Sequence, residues 1–243
     1  LKCSRKTNSI FRLSDRVIAI NGLIGDYAAQ RNHSVSVIPN CVDTAKYVPA
    51  PRLADATVRL VWMGSHSTMQ NLKSIAGPIR RLQALGNVPL RVIGAGDPGL
   101  PDLQVETHQW SADTEIDSLR DCDIGLVPLP DHPWNQWKFF YKTIQYMAMG
   151  MPVVARRMGS NSEVIEHGVD GFLVDDEAQW YESLQTLIAD RSLRQRMGAA
   201  ARAKVIERYS FESQMPRMVD VFEQVLQSKR ATQHHARLGQ ASC

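Results

Sequence analysis

Trp134 to Glu163 reads WNQWKFFYKTIQYMAMGMPVVARRMGSNSE. It holds a helical pattern, a Gly-Met-Pro break, a short apolar strand, and a Gly-Ser-Asn loop opening another helix. From Lys138 to Met149, Phe139, Thr143, Ile144, Met147 and Ala148 recur at helical spacing, which predicts one buried stripe. Gly150 is placed to end that helix, and Pro152 cannot continue it. Val153-Val154-Ala155 is short, apolar and β-branched, as a buried parallel strand requires.

Lys138, Lys142 and Gln145 stand four and three residues apart, so a helix puts them on one face, with Tyr141 beside it. Two readings fit. The lysines are solvated, as lysines usually are, or they hold an anion between two helix N-termini. The second junction is Gly159-Ser160-Asn161 with Glu163. Its free N–H groups would face an anion or sugar hydroxyls, or else the loop is a plain cap built on Asn161 or Ser162.

Upstream, Val58 to Met63 reads as a strand running into Gly64-Ser65-His66-Ser67-Thr68 and a helix from about Met69. Strand, glycine, small hydroxyl residues and helix form either a phosphate cradle or an ordinary capped turn. Ile75 to Leu85 is an amphipathic helix with Ile75, Ile79, Leu82 and Leu85 inward. Leu90 to Ile93 is a strand, and Gly94-Ala95-Gly96-Asp97 after it is a turn, because its third glycine is misplaced for a dinucleotide fingerprint. Short strands follow at Leu103–Glu106 and Asp123–Leu129. Strand, loop and helix alternate at least four times over residues 58–190. That predicts an α/β fold, a Rossmann-like parallel sheet with helices on both faces and ligands at the C-terminal strand ends.

Composition sets few further bounds. The 243 residues are 44% hydrophobic and 22% charged, ordinary for a globular protein of one large domain or a domain and a part. A net charge of +3 decides neither for nucleic acid nor against it. No apolar run approaches the roughly 18 residues that cross a bilayer. Cys3, Cys41, Cys122 and Cys243 are scattered, which suggests a reducing, cytoplasmic compartment without structural zinc. His234-His235 is a weak metal signal in a polar tail. No acidic cluster suits a divalent cation, so neither metal nor cofactor is expected.

QYMAMGMPVVARRMGSNSEVIEHGVDGFLV resembles the signature of the retaining group 1, or GT4, glycosyltransferases with the GT-B fold. The matching positions are Gln145, Met147, Ala148, Gly150, Pro152, Val153, Val154, Gly159, Glu163, Gly168, Gly171, Phe172 and Leu173. The likeness extends more weakly over about residues 14–226. GSHST is similar to the G-S-P-S-T loop of one branch. Val35 to Asp43 is similar to the crossing between the two domains of such proteins, with Cys41 replacing a glycine. The resemblance implies a remnant of an N-terminal Rossmann-like domain over 1–34, a nucleotide-sugar-binding domain over 35–226, and a disordered tail over 227–243. The start at Leu1, not Met, and the lack of a signal-peptide pattern agree with a fragment.

What the resemblance implies for function is transfer of a sugar, with retention, from a nucleotide diphosphate sugar to an acceptor hydroxyl in polysaccharide or glycoconjugate biosynthesis. Lys138 and Lys142 would carry the charge in catalysis. Gly64, Ser65, His66, Ser67, Thr68, Tyr141, Ser160, Asn161 and Glu163 would bind the donor, with Gln145 on the ribose. Trp110 would lie near the base or pack as a core aromatic. A glycan or lipid-linked acceptor would be met through the missing N-terminal domain, with a peripheral contact at the inner membrane and no nucleic acid. Two glutamates frequent in the family fall at Trp137 and Gln145, and Phe140 stands where a glycine often approaches the sugar. This branch is therefore expected to bind the sugar differently. The rival expectations are a non-catalytic nucleotide-sugar module working with a partner chain, and an epimerase or hydrolase of nucleotide sugars.

Overall fold

The computed structural model describes residues 4–51 and 57–240. Cys3, Cys243, residues 52–56, and the side chains of His234 and His235 lie outside the described residues. In chain order the elements are α1 (Ser4–Leu13), β1 (Val17–Ala19), α2 (Gly22–Ala29), β2 (Val35–Val37), β3 (Leu60–Met63), a 3₁₀ turn (His66–Thr68), α3 (Met69–Lys73), α4 (Ala76–Gln83), β4 (Leu90–Ile93), β5 (Val105–His108), α5 (Glu115–Leu119) and β6 (Ile124–Val127). A second 3₁₀ turn (Pro133–Trp137), α6 (Tyr141–Ala148), β7 (Val153–Arg156), α7 (Asn161–Val164), β8 (Gly171–Val174), α8 (Glu177–Ala189), α9 (Arg191–Arg208) and α10 (Phe211–Gln240) complete it.

Two compact units result. One joins the residues before 41 to those after 210; the other is residues 41–210. In the first, β1 and β2 pair in parallel with Val17 opposite Val35. Asn21 caps α2 by accepting from Ile24 N–H at 2.9 Å. The sequence stops the final helix near Leu226 and leaves a disordered tail, whereas α10 continues to Gln240. Among the described residues no helix is long and apolar enough to cross a membrane.

The second unit is a six-stranded, all-parallel sheet of order β5-β4-β3-β6-β7-β8. This is the Rossmann-like α/β architecture that the alternating pattern predicts. Every residue of β3, β4 and β6 is buried, as strands covered on both faces must be. Side chains alternate between two cores. Val61 and Met63 join Val127, Val153 and Ala155 on one face, while Leu60 and Trp62 join Val92, Leu126 and Val154 on the other. Leu85, expected inward, is exposed, because α4 ends at Gln83.

Tyr146, fully buried, locks α6 to the sheet. Its ring lies where a side chain on Gly125 would stand, and its hydroxyl accepts from Met63 N–H at 2.7 Å. Arg202 of α9 ties the other end of α6 to the segment after Cys41. It donates to the carbonyls of Tyr47 at 2.6 Å, Thr44 at 3.3 Å, and Ala148. At the outer strand β8, Leu173 N–H donates to His167 Nδ1 at 3.0 Å, and its carbonyl accepts from Arg157 at 3.1 Å.

Candidate functional site

The C-terminal ends of β3 and β6 and the first turn of α6 enclose a cavity of about 280 Å³. Thr68, Lys138, Tyr141, Lys142 and Gln145 line it together with Trp62 and Phe140. The sequence puts both lysines on one helix. The structure corrects this: Phe140 has φ −91° and ψ 85°, outside helical geometry, so α6 starts at Tyr141 and Lys138 lies in extended backbone. Both lysines reach the cavity nonetheless.

Lys142 is half-buried, and among the described residues its ammonium has neither a carboxylate nor a hydrogen-bond partner. It faces the Trp62 ring at 5.8 Å from the centroid. Burial alone holds its pKa below the ordinary lysine value. Lys138 is exposed at the mouth. An uncompensated, partly desolvated cation next to a second cation is an arrangement completed by an anion.

The β3–α3 loop is tightly tied. Ser65 N–H donates to Thr68 Oγ1 at 3.1 Å, Thr68 Oγ1 donates to the Ser65 carbonyl at 3.0 Å, and the Ser65 and Ser67 hydroxyls lie 2.9 Å apart. Of the five residues read as a cradle, only Thr68 lines the cavity; Ser65, His66 and Ser67 face solvent. A side chain on Gly64 would strike the Trp62 ring at 2.2 Å. Gly94, at φ 92°, passes between the Gly64 carbonyl and Trp110, where a Cβ would stand 2.8 and 3.2 Å from them. That contact brings the loops after β3, β4 and β5 together.

Trp110 is half-exposed, not a core aromatic, and its indole N–H donates to Glu115 Oε2. Glu115, buried on α5, also accepts from the Tyr47 hydroxyl, and from Gln145 Nε2 at 2.7 Å. Gln145 Nε2 donates further to the Tyr47 hydroxyl at 2.6 Å. Burial first, and then the hydrogen bond to Glu115, raises the Tyr47 pKa, so the phenol keeps its proton. Sequence reading missed both Glu115 and Tyr47. The only available signal was a glutamate inside an otherwise apolar helical stripe.

In the loop after β7 the side chains of Ser160 and Asn161 and the N–H groups of residues 161–163 are engaged within the protein. Ser160 Oγ accepts from Phe140 N–H at 2.8 Å, and Asn161 Oδ1 accepts from Thr143 Oγ1 at 2.7 Å. The N–H groups of Asn161, Ser162 and Glu163 donate to the carbonyls of Met158, Gly159 and Ser160. Ser160 and Asn161 are buried struts that position the start of α6, and Glu163 is exposed. Gly159, at φ 53°, allows the approach: a Cβ there would lie 2.6 Å from the Asn135 carbonyl and 3.1 Å from the Phe140 ring. Trp137 closes the 3₁₀ turn before α6.

A larger cavity, about 590 Å³, lies at the N-terminal ends of β6 and β7, among Asp123, Pro152 and Arg202. The Arg202 guanidinium there is spent on three carbonyls, and ligands of parallel sheets bind at the opposite strand ends. The smaller cavity is the candidate site.

A doubly wound parallel sheet with a lysine-lined cavity at its strand ends defines a Rossmann-like α/β protein with a candidate anion site. The sequence profile of the family described as glycosyl transferases group 1 matches residues 49–190, more than half of the chain, and the chain belongs to that family. The D-inositol 3-phosphate glycosyltransferase of Corynebacterium kroppenstedtii is 28% identical over 241 residues, 85% of this chain and 51% of that protein. Among solved structures, Anabaena Alr3699/HepE in complex with UDP and glucose has a TM-score of 0.74 at 18% identity, over 91% of this chain and 68% of that one. The C-terminal domain of a glycosyl transferase group 1 family protein (LpcC) from Francisella tularensis has a TM-score of 0.54 at 20% identity, over 70% of this chain and 98% of that one. These two likenesses establish the shared fold. The chain spans about half the length of the first curated relatives it matches.

Proposed function

We propose that this chain is the donor-binding part of a retaining glycosyltransferase that moves a sugar from a nucleoside diphosphate sugar to an acceptor hydroxyl. The observation that carries the proposal is Lys142, a half-buried ammonium without an anion, beside Lys138 on the strand-end cavity. A diphosphate supplies the missing charge. In the transfer the bond from the anomeric carbon to the phosphate oxygen breaks, and a bond to the acceptor oxygen forms as the acceptor's proton passes to the departing diphosphate. Negative charge grows on the departing diphosphate, and the two ammonium groups offset it. Gln145 offers its amide oxygen to the ribose.

Family membership supports the reaction class, and the UDP and glucose held by the Anabaena neighbour support the ligand class. The acceptor, a glycan or lipid-linked sugar, is met by residues outside this chain. The scattered cysteines, without a Cys-x-x-Cys pair, favour a cytoplasmic, reducing setting, peripheral to the inner membrane where the acceptor is lipid-linked.

Calorimetry with UDP, GDP, ADP and their nucleosides tests the reading. One nucleoside diphosphate binds at least tenfold more tightly than its nucleoside, and at 100 times its dissociation constant adds about 2.7 kcal/mol of stability. Lys138→Ala and Lys142→Ala each remove most of the diphosphate advantage. Equal losses for diphosphate and nucleoside, or no binding by the folded chain, would overturn it.

A further inference from the structure

We infer that the larger cavity, at the N-terminal ends of β6 and β7, is a second binding site, one that takes a small soluble phosphate monoester with an apolar body. The inference is independent of the donor-site reading above.

The cavity holds about 590 Å³, against about 280 Å³ at the opposite strand ends, and lies within the size range of small-molecule sites. Its charged lining is Arg120, Arg191, Arg194 and Arg202 against Asp123, four cations to one anion among the described residues. Arginine keeps its charge at every physiological pH. Asp123 is turned toward β3, where its Oδ2 accepts from the Arg59 backbone N–H at 2.8 Å.

The contacts that hold these arginines satisfy hydrogen bonds more than charge. Arg194 donates to the carbonyls of Leu187 at 2.6 Å and Ile188 at 3.0 Å. The carbonyls of Tyr47, Thr44 and Ala148 take three of the five N–H groups of Arg202 and none of its net charge. Among the described residues no carboxylate pairs with Arg202, and burial alone holds its pKa below the ordinary arginine value. Arg120 meets Asp117 at 3.0 Å, but these side chains are 55% and 68% exposed, where an ion pair is worth little.

Two features narrow the ligand. A phosphate monoester brings about two negative charges and three terminal oxygens, enough for more than one guanidinium fork, whereas a carboxylate brings one charge and two oxygens. Beside the arginines the wall is apolar, from Met149, Met151 and Pro152 in the turn between α6 and β7. That wall gives an organic phosphate something to gain over the bare ion.

Calorimetry of the 243-residue chain with phenyl phosphate, phenol and inorganic phosphate, at about 0.15 M salt, tests the inference. Wild type binds phenyl phosphate at least about tenfold more tightly than phenol, and more tightly than inorganic phosphate. Ala199 and Ala203 are exposed positions of α9 on the cavity wall, so a glutamate at either sets a like charge against the ligand without disturbing the core. Ala199→Glu weakens phenyl phosphate at least about tenfold; should that variant fail to fold, Ala203→Glu carries the test with the same expected loss. Lys142→Met, in the other cavity, leaves the affinity at the wild-type value. Phenyl phosphate that binds no better than phenol or than inorganic phosphate overturns the inference. So does a folded Ala199→Glu or Ala203→Glu chain with wild-type affinity, or an equal loss in Lys142→Met, which would place the phosphate among the lysines. Capture of the chain on phosphatidylcholine vesicles containing phosphatidic acid, with no phenyl phosphate bound, overturns the soluble class in favour of a lipid phosphate.

Discussion

Two places in the 41–210 unit bury cationic side chains, and they treat them oppositely. At β3 and β4, Arg59 and Arg91 are enclosed by Glu106 and Asp121. Arg59 meets Glu106 at 2.9 Å and Asp121 at 2.7 Å, and Arg91 meets Glu106 at 2.8 Å and Asp121 as well. At α6, the Lys142 ammonium faces an aromatic ring and, among the described residues, no carboxylate. A closed set of charges is complete within the protein and serves the fold. A lone one is complete only with something from outside.

The comparison breaks most visibly at Arg91. Its side chain is only 7% exposed, so Arg91→Ala leaves Glu106 and Asp121 to share the one cation of Arg59. Chemical denaturation should show a loss of roughly 3 kcal/mol, the lower end for a buried pair because both acids are partly exposed. At Lys142 the outcome is opposite. Lys142→Met stabilises the unliganded chain by about 1 kcal/mol, since it removes a desolvated charge that nothing offsets, while weakening diphosphate binding at least about tenfold. A Lys142→Met chain that is less stable than wild type would mean that the ammonium has a partner in solution.

Titration sharpens the contrast. Burial pushes the pKa of Glu106 and Asp121 up, but hydrogen bonds and charge from Arg59 and Arg91 overcome it and hold both below the ordinary carboxylate range. Their contribution is full above about pH 4 and is lost as pH falls through the lowered values. Lys142 runs the other way. Its pKa is depressed by burial, so its charge costs stability below that depressed value. Stability therefore rises as pH climbs from there toward the unfolded lysine value of about 10.4, and diphosphate affinity falls over the same climb. Thermal denaturation from acid to alkali should show both arms, and Lys142→Met should delete the alkaline one alone. The smallest effect is expected at the exposed pair Arg157–Asp175, where each side chain is 45% exposed. Loss of that ion pair through Asp175→Asn should change stability by no more than about 0.5 kcal/mol.

The sheet was legible because its information is local. Val58 to Met63, Leu90 to Ile93 and Val153 to Ala155 are apolar runs bounded by glycine and proline, and parallel strands need little else to be read. Lys142 and Gln145 were legible as neighbours at one cavity because one short helix holds both. Lys138 was placed on that helix because its spacing fits; only the backbone at Phe140, dictated by Ser160 accepting its N–H, breaks the pattern. Ser160 and Asn161 show a second limit. A polar residue before a helix has the same signature whether it faces a ligand or braces the protein, and here both side chains accept hydrogen bonds from the first turn of α6 and the residue before it. Glu115 and Tyr47 were out of reach, since Tyr47 lies 98 positions from the glutamine it touches. The tail after Leu226 reads as polar, but its Gln, Lys, Arg and Ala residues are strong helix formers, and α10 continues through them.

One consequence belongs to the outer strand β8 and concerns crowding more than catalysis. A sheet margin normally offers a row of amides and carbonyls to which another molecule can add a strand. Along β8 the Leu173 N–H is occupied by His167, its carbonyl by Arg157, and the Gly171 carbonyl by Gly168 N–H. The sheet is finished off by its own side chains and turn. At high concentration these occupied groups leave a neighbour little to add a strand to along this margin.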